Sequence, residues 1–299
     1  MKVVGIGGGH GLAATLRAAR LYADDITAVV SVADDGGSSG RLTAELGIPP
    51  PGDIRNCLVA LAGEGPNAEL FQHRFRSGTL EGHPVGNLVI AALAEIHGDF
   101  ASAVEEAARM LRIEGRVFPS SLDLVRLSAL VEGGVVEGQV AVAQTKQPIR
   151  SLHLRPSRPA AHPGAVAAIR AADQVVLGPG SLFTSVIATL LVPDIGTAVA
   201  TTDAKRIFIC NAREQRGETE GLSVADHVAA LLNHLGPGTL DAVVVQMPAL
   251  GDSVAMGERW PFEDVELIEA DVAEPAGAHD PERLAKVLGA VDPPSDRPR

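Results

Sequence analysis

Aromatic residues are scarce in this chain. One Trp, one Tyr and seven Phe make up 3% of its 299 residues, whereas hydrophobic residues together reach 46%. A core must then be built from Ala, Val, Leu and Ile, as in parallel α/β sheets. Basic residues are in deficit: 25 Lys and Arg face 37 Asp and Glu, a net charge of −12. That balance argues against a general nucleic-acid binder, which needs a basic face. It leaves room for a small anion held by a few local donors. Only two cysteines occur, Cys57 and Cys210, far apart and in apolar segments. Buried free thiols are expected, not a disulfide or a zinc site. No apolar run reaches membrane-spanning length, and Met1–Gly7 is too short and glycine-rich for a signal peptide. A soluble cytoplasmic protein without a membrane span is expected.

What is present is an α/β pattern. Val3–Ile6 reads as a first strand, Leu12–Leu21 as a helix and Ile26–Val32 as a second strand, the opening of a doubly wound sheet. From about 41 to 111 the pattern is a helical insertion, with helices at Ile54–Leu61, Glu69–Phe75, Leu88–Ile96 and Ala101–Leu111. Alternation on either side of Gly133-Gly134 predicts a β-hairpin within about 124–154, Val136–Val142 being its second strand and Ile149–Leu154 a third. Strands then return at Gln174–Leu177, Arg206–Cys210 and Leu240–Val245, with helices at Leu182–Leu191 and Val224–Leu235. The expected fold is a Rossmann-like, doubly wound, mostly parallel sheet with that insertion and a small antiparallel hairpin. It forms a single α/β domain over 1–291, followed by a mobile tail over 292–299.

Three loops at strand ends carry the chemistry. The first holds Gly7, Gly8, Gly9, His10 and Gly11, between the first strand and the first helix, where backbone N–H groups favour a phosphate. A tight turn needs fewer glycines. The spacing is not the dinucleotide fingerprint, since its third glycine falls on His10 or Leu12, and no Walker sequence occurs. The second loop follows Val32: Asp34, Asp35, Gly36, Gly37, Ser38, Ser39, Gly40 and Arg41. Its glycines and Arg41 suit an anion. Asp34 and Asp35 suit a ribose hydroxyl, a divalent cation or an acceptor group, and are the catalytic and metal candidates. The third holds Gly178, Gly180, Ser181, Thr184 and Ser185, with Ser181 placed to cap the following helix. Parallel strands put all three on one sheet edge.

Further candidates lie near the same edge. Asp53, Arg55 and Asn56 supply an acid, a cation and an amide at one helix start, with Asp53 placed as its N-cap. Asn211 ends a strand and leads to Gly217, Glu218 and Thr219. His83 and Asn87 can line the cleft, or Asn87 can cap a helix. Lys205 and Arg206 read as charged strand-edge residues, and His227 and His234 as structural or solvated. No serine-hydrolase elbow or zinc-protease motif occurs.

Several segments carry a resemblance in this order: Gly7-Gly8-Gly9-x-Gly11-Leu12, Val32 to Arg41, Pro49-Pro50-Pro51-Gly52-Asp53-x-Arg55-Asn56, Phe71-Gln72-His73-Arg74-Phe75, Gly178-Pro179-Gly180-Ser181 and Gly217-Glu218-Thr219. Together they resemble the YvcK or gluconeogenesis factor family, within the CofD-like group whose type member is 2-phospho-L-lactate transferase. The resemblance covers the chain to about Ala249. It implies a Rossmann-like fold and a UDP-sugar ligand, in particular UDP-N-acetylglucosamine. It also implies a regulatory role in cell-wall (peptidoglycan) precursor supply and cell shape during gluconeogenic growth. No cofactor is required in that reading; a Mg2+ ion accompanying a nucleotide diphosphate, a homo-oligomer and an unidentified protein partner stay open. The alternative within the group is a transferase moving a phospholactyl group from a nucleotide diphosphate to a deazaflavin. An NAD-dependent oxidoreductase is disfavoured by the glycine spacing. This chain has His10 where relatives have Thr, Asn211-Ala212-Arg213-Glu214-Gln215 where they often read Asn-x-x-Thr-Gln, and Ala278-His279-Asp280 where they place Arg-His. Trp260 is its nearest aromatic to the family's uracil contact.

Overall fold

The strands are short, and in the middle of the fold nearly every residue in them is buried. They are β1 (Lys2–Gly7), β2 (Asp25–Val30), β3 (Arg116–Pro119), β4 (Arg126–Val131), β5 (Gly134–Glu137), β6 (Ser151–Arg155), β7 (Gln174–Leu177), β8 (Lys205–Ile209), β9 (Ala242–Gln246) and β10 (Glu266–Ala270). The computed structural model describes residues 1–215, 217–257 and 260–291. The expected tail over 292–299 lies outside the described residues.

Seven strands form one parallel sheet in the order β10-β9-β8-β7-β1-β2-β3, and β5-β4-β6 form a small antiparallel sheet. Side chains alternate across a strand, and here they feed two cores. Val4, Ile6, Val175, Leu177, Val243 and Val245 enter one cluster. Val3, Ile26, Ala28, Val176, Ile207 and Val244 enter the other. Both faces are covered, which accounts for continuous apolar runs with almost no aromatics.

The helices are α1 (Gly9–Ala19), α2 (Gly37–Leu46), α3 (Gly52–Ala62), α4 (Pro66–Gln72), α5 (Val85–His97), α6 (Phe100–Leu111), α7 (Gln139–Ala143) and α8 (Pro163–Arg170). A π-helical segment, Leu182–Ile187, runs into α9 (Ala188–Leu190), followed by α10 (Pro193–Thr201), α11 (Val224–Leu235) and α12 (Pro281–Ala290). Among the described residues no single helix is long and apolar enough to cross a membrane. Both cysteines are buried and free.

Three sequence expectations change. The second half of the acidic loop is the first turn of α2, with Gly36 as its N-cap. The hairpin's second strand stops at Glu137, and Gln139–Ala143 is helical. Residues 182–191 open as a π-helix, a form concentrated at functional sites.

Helix α11 is set by a capping box. The Ser223 hydroxyl accepts the Asp226 N–H, and the Asp226 carboxylate accepts the Ser223 N–H. Ser223→Ala is expected to cost about 1 kcal/mol, read as a lower urea midpoint with an unchanged slope.

Candidate functional site

Strand β1 lies between β2 and β7, so the chain winds outward from it in both directions. The crevice beyond the carboxyl ends of β1 and β7 is therefore a topological switch point, where α/β sheets bind ligands. The first and third loops flank it and touch through backbone. A Cβ on Gly11 would lie 2.3 Å from the Pro179 carbonyl oxygen, and one on Gly180 would lie 3.4 Å from that of Gly8. At Gly11 only glycine allows this approach. Side chains hold the third loop in place. Thr15 of α1 donates to the Gly178 carbonyl at 2.7 Å. Asn211, just past β8, accepts the Gly180 N–H at 3.1 Å and donates to its carbonyl at 2.9 Å. Gln215 bridges Asn211 to the Ser181 hydroxyl.

The second loop joins from the β2 side. Asp34 accepts the Gly36 N–H at 2.9 Å. Ser39 accepts the Gly52 N–H at 3.1 Å, which locks α2 to α3. Ser38 contacts His83 Nδ1 at 2.8 Å and receives Asn87 Nδ2 at 3.0 Å, which locks α2 to α5. Asp53 lies beneath the first loop. It accepts the Gly9 N–H, and its Oδ2 would be 2.4 Å from a Cβ on Gly8.

The result is a floor of backbone N–H groups with two carboxylates, Asp34 and Asp53, set beside it. No N-cap residue of α1, α2 or α3 supplies a side-chain cap; Ser39 takes the Gly52 N–H of α3 and Asp53 the Gly9 N–H of α1 instead, and the first turns meet around Gly8, Ser39, Gly52 and Asp53. The remaining first-turn N–H groups and the three helix dipoles favour an anion there. The resident carboxylates feel their burial. Burial, reinforced by the Asp34 charge, pushes the Asp53 carboxyl up to about 7. Asp34 is raised as well, first by burial. Beside this floor a cleft of about 770 Å3 opens between Asp34, Asp35 and α2 on one side and Leu124, Arg126 and Arg155 at the small sheet on the other.

The model of the family described as 2-phospho-L-lactate transferase CofD matches residues 3–280. This chain belongs to the CofD family. A protein named gluconeogenesis factor from Bacillus subtilis is 44% identical over 276 residues, covering 91% of this chain and 86% of that protein. A protein named putative gluconeogenesis factor from Nostoc is 48% identical over 248 residues, 82% of this chain and 54% of the relative, so the chain spans about half that relative's length. A crystal structure from Bacillus halodurans, described as a member of the UPF0052 family, has a TM-score of 0.91 at 38% identity and covers 96% of this chain and 97% of that one.

In this CofD-family chain the expected residues divide into two groups. Gly7, Gly8, Gly9, Gly11, Asp34, Asp53, Gly178, Gly180, Ser181 and Ser185 sit at the convergence of the loops, whereas Gly36 and Gly37 open α2 and Gly37 has nothing within 4 Å of its Cβ position. His10 is exposed at the start of α1. Asp53 is not the N-cap of α3; Pro51 holds that place, and the Asp53 carboxylate serves α1 instead. Asn87 lies inside α5, past its Pro84 N-cap. Ser181 does not cap the π-helix either. Glu218 takes the Phe183 and Thr184 N–H groups at 2.7 and 2.8 Å and receives the Thr184 hydroxyl, so Glu218 and Thr184 anchor the third loop from within. Burial pushes the Glu218 carboxyl up despite these donors. Gly217 lies against the Ala143 carbonyl, and Thr219 is buried behind it.

The second loop's charged residues also have structural partners. Asp35 accepts the Gln139 and Val140 N–H groups and so starts α7. Arg41 donates to the Glu81 carbonyl. Arg55 is 4% exposed and reaches Gln72 and Asn56, away from the first loop's N–H groups. The two aspartates thus do not form one bare carboxylate pair, and among the described residues no group of three metal-binding side chains occurs. Trp260 donates to the Val265 carbonyl and stands edge-on to Phe262. Thr15 escaped the sequence reading: a lone threonine on an apolar helix face carries no local signal of its partner.

Proposed function

We propose that this chain binds a nucleotide diphosphate sugar, of the UDP-N-acetylglucosamine type, in the crevice between the first and third loops, and acts as a regulator. One observation carries the reading: two glycine loops in backbone contact at the switch point, beside three helix N-termini whose own N-cap residues offer no side-chain cap. That arrangement suits a diphosphate and asks for no resident cofactor. The name gluconeogenesis factor, borne by the Bacillus subtilis relative at 44% identity, supports a regulatory role; its placement in cell-wall precursor supply and cell shape is part of the same proposal.

Isothermal titration with UDP-N-acetylglucosamine, UDP, GDP and NAD tests the reading. A uridine nucleotide should bind best; none binding at millimolar concentration overturns it. Asn211→Ala leaves the Gly180 N–H and carbonyl unpaired and should weaken UDP-N-acetylglucosamine binding about tenfold, from the loss of roughly 1–3 kcal/mol of hydrogen bonding. An unchanged dissociation constant would separate Asn211 from the site.

A second reading, transfer of a phospholactyl group to a deazaflavin, is favoured by the cleft of about 770 Å3 next to Asp34 and Asp35, which has room for an acceptor. Incubation with a phospholactyl nucleotide and the deazaflavin, followed by mass spectrometry, tests it. Unchanged deazaflavin counts against transfer.

A further inference from the structure

Two anions compete for the N-terminus of α1: a ligand phosphate and the carboxylate of Asp53. The Asp53 carboxylate already accepts the Gly9 N–H and lies directly beneath Gly8. Among the charged groups around it, Arg55 of α3 favours the carboxylate, but burial and the Asp34 charge outweigh it. From the third loop comes only the Ser185 hydroxyl, 3.3 Å from where a Gly8 Cβ would be. From the second loop comes Asp34, its Oδ2 3.7 Å from a Cβ position on Gly52, the residue before Asp53. On α3 itself, Arg55 bonds to the Gln72 and Asn56 amides. Cys57, one turn on, is a thiol that burial pushes well above its ordinary value, so it stays neutral; Arg17 of α1 faces that thiol. Two carboxylates thus share one anion cradle, and neither forms an ion pair among the described residues.

We propose that Asp53 couples ligand binding to proton uptake: the cradle admits a nucleotide diphosphate with Asp53 in its protonated form, and entry of the ligand draws a proton onto this carboxyl. The inference rests on the nucleotide-sugar reading above. Burial and Asp34 already bring the carboxyl to about 7 in the free protein. A phosphate beside it adds a further like charge and raises it more. Once protonated, Asp53 changes from a competitor into an O–H donor. The sign follows from linkage. Below about pH 7 Asp53 is neutral and binding is tightest. As pH rises through that value, each ligand must bring a proton with it, and affinity falls by up to about tenfold per pH unit until the bound form also titrates.

The test is calorimetric titration of UDP-N-acetylglucosamine from about pH 6 to about pH 8.5, in buffer pairs of differing ionisation enthalpy. Both phosphates of this probe are esterified, so neither takes up a proton over that range. Proton uptake rising towards one per ligand, with roughly tenfold weaker binding at the alkaline end, is the expected result. Asp53→Asn should bind with a flat pH profile and no proton uptake. Asp34→Asn should move the titration to lower pH. Wild-type protein that binds equally at both ends with no proton uptake overturns the inference while leaving the nucleotide-sugar reading intact. Folded wild-type protein that fails to bind at every pH overturns both. The buffer-pair measurement on the wild type needs no variant, so a variant that fails to fold does not weaken the test.

Discussion

Gly11→Ala is expected to destabilise the protein by about 3 kcal/mol and to abolish measurable nucleotide-sugar binding. The added methyl would lie 2.3 Å from the Pro179 carbonyl oxygen and 2.6 Å from its carbon. Both are backbone atoms, so no rotamer change relieves the clash. The third loop cannot retreat without cost, because Thr15 holds Gly178 and Asn211 holds both polar groups of Gly180. Overpacking typically costs 1–3 kcal/mol, and a rigid contact lies at the upper end. Any accommodation separates the first and third loops, and with them the groups that would meet the two phosphates. Gly251→Ala is the matched control: nothing lies within 4 Å of its Cβ position, so its cost should be near zero. Thermal and urea unfolding measure both variants. A Gly11→Ala melting temperature equal to that of Gly251→Ala would show that the loops separate freely.

The convergence of these loops was legible from the sequence, because parallel strands with glycine-rich ends leave few places for the following turns to go. The fastenings were not. Thr15 meets Gly178 across 163 residues, and Asn211 meets Gly180 across 31; no local pattern signals such a bond. Glu218 illustrates the same limit. Its position in Gly217-Glu218-Thr219 suggests a ligand contact, but only the fold reveals that it caps the π-helix. Asp53 sits in the first turn of α3, where acids are favoured, and sequence alone cannot say that its carboxylate turns to α1.

The fold was readable where hydrophobic pattern and turn residues agree. Strand β7 and helix α11 fall at Gln174–Leu177 and Val224–Leu235, as their patterns predict. Helix α2 was hidden because it opens Gly-Ser-Ser-Gly, residues with poor helix propensity. The local geometry demands one of these residues: a Cβ on Gly40 would lie 2.0 Å from the Asp35 carbonyl oxygen, so the turn needs glycine there. Strand β3 was missed because it has four residues, ends in proline and lies at the sheet edge, where proline is tolerated.

Arg206 shows most clearly how a strand-edge reading fails, and it carries the other large effect. From sequence it pairs with Lys205 as a solvated charge, yet it is 3% exposed. Its guanidinium forms two hydrogen bonds with Asp241, at 2.9 and 3.0 Å, and Asp241 also accepts the Arg206 backbone N–H at 2.8 Å. The pair joins β8 to the segment entering β9. Removing one partner leaves the other charge buried, so Arg206→Ala is expected to cost about 3–5 kcal/mol. Lys205→Ala removes only an outer contact to Glu266 at 3.7 Å and should cost less than about 1 kcal/mol. The two changes differ by one position and by several kcal/mol because alternation along β8 sends adjacent side chains to opposite faces. Replacing both partners, Arg206→Met with Asp241→Leu, should recover much of the loss, since no unpaired charge is then left behind. Urea unfolding of the singles and the double closes the cycle. Equal, small losses at positions 205 and 206 would mean that water reaches the Arg206 guanidinium and that the pair is only a surface bridge.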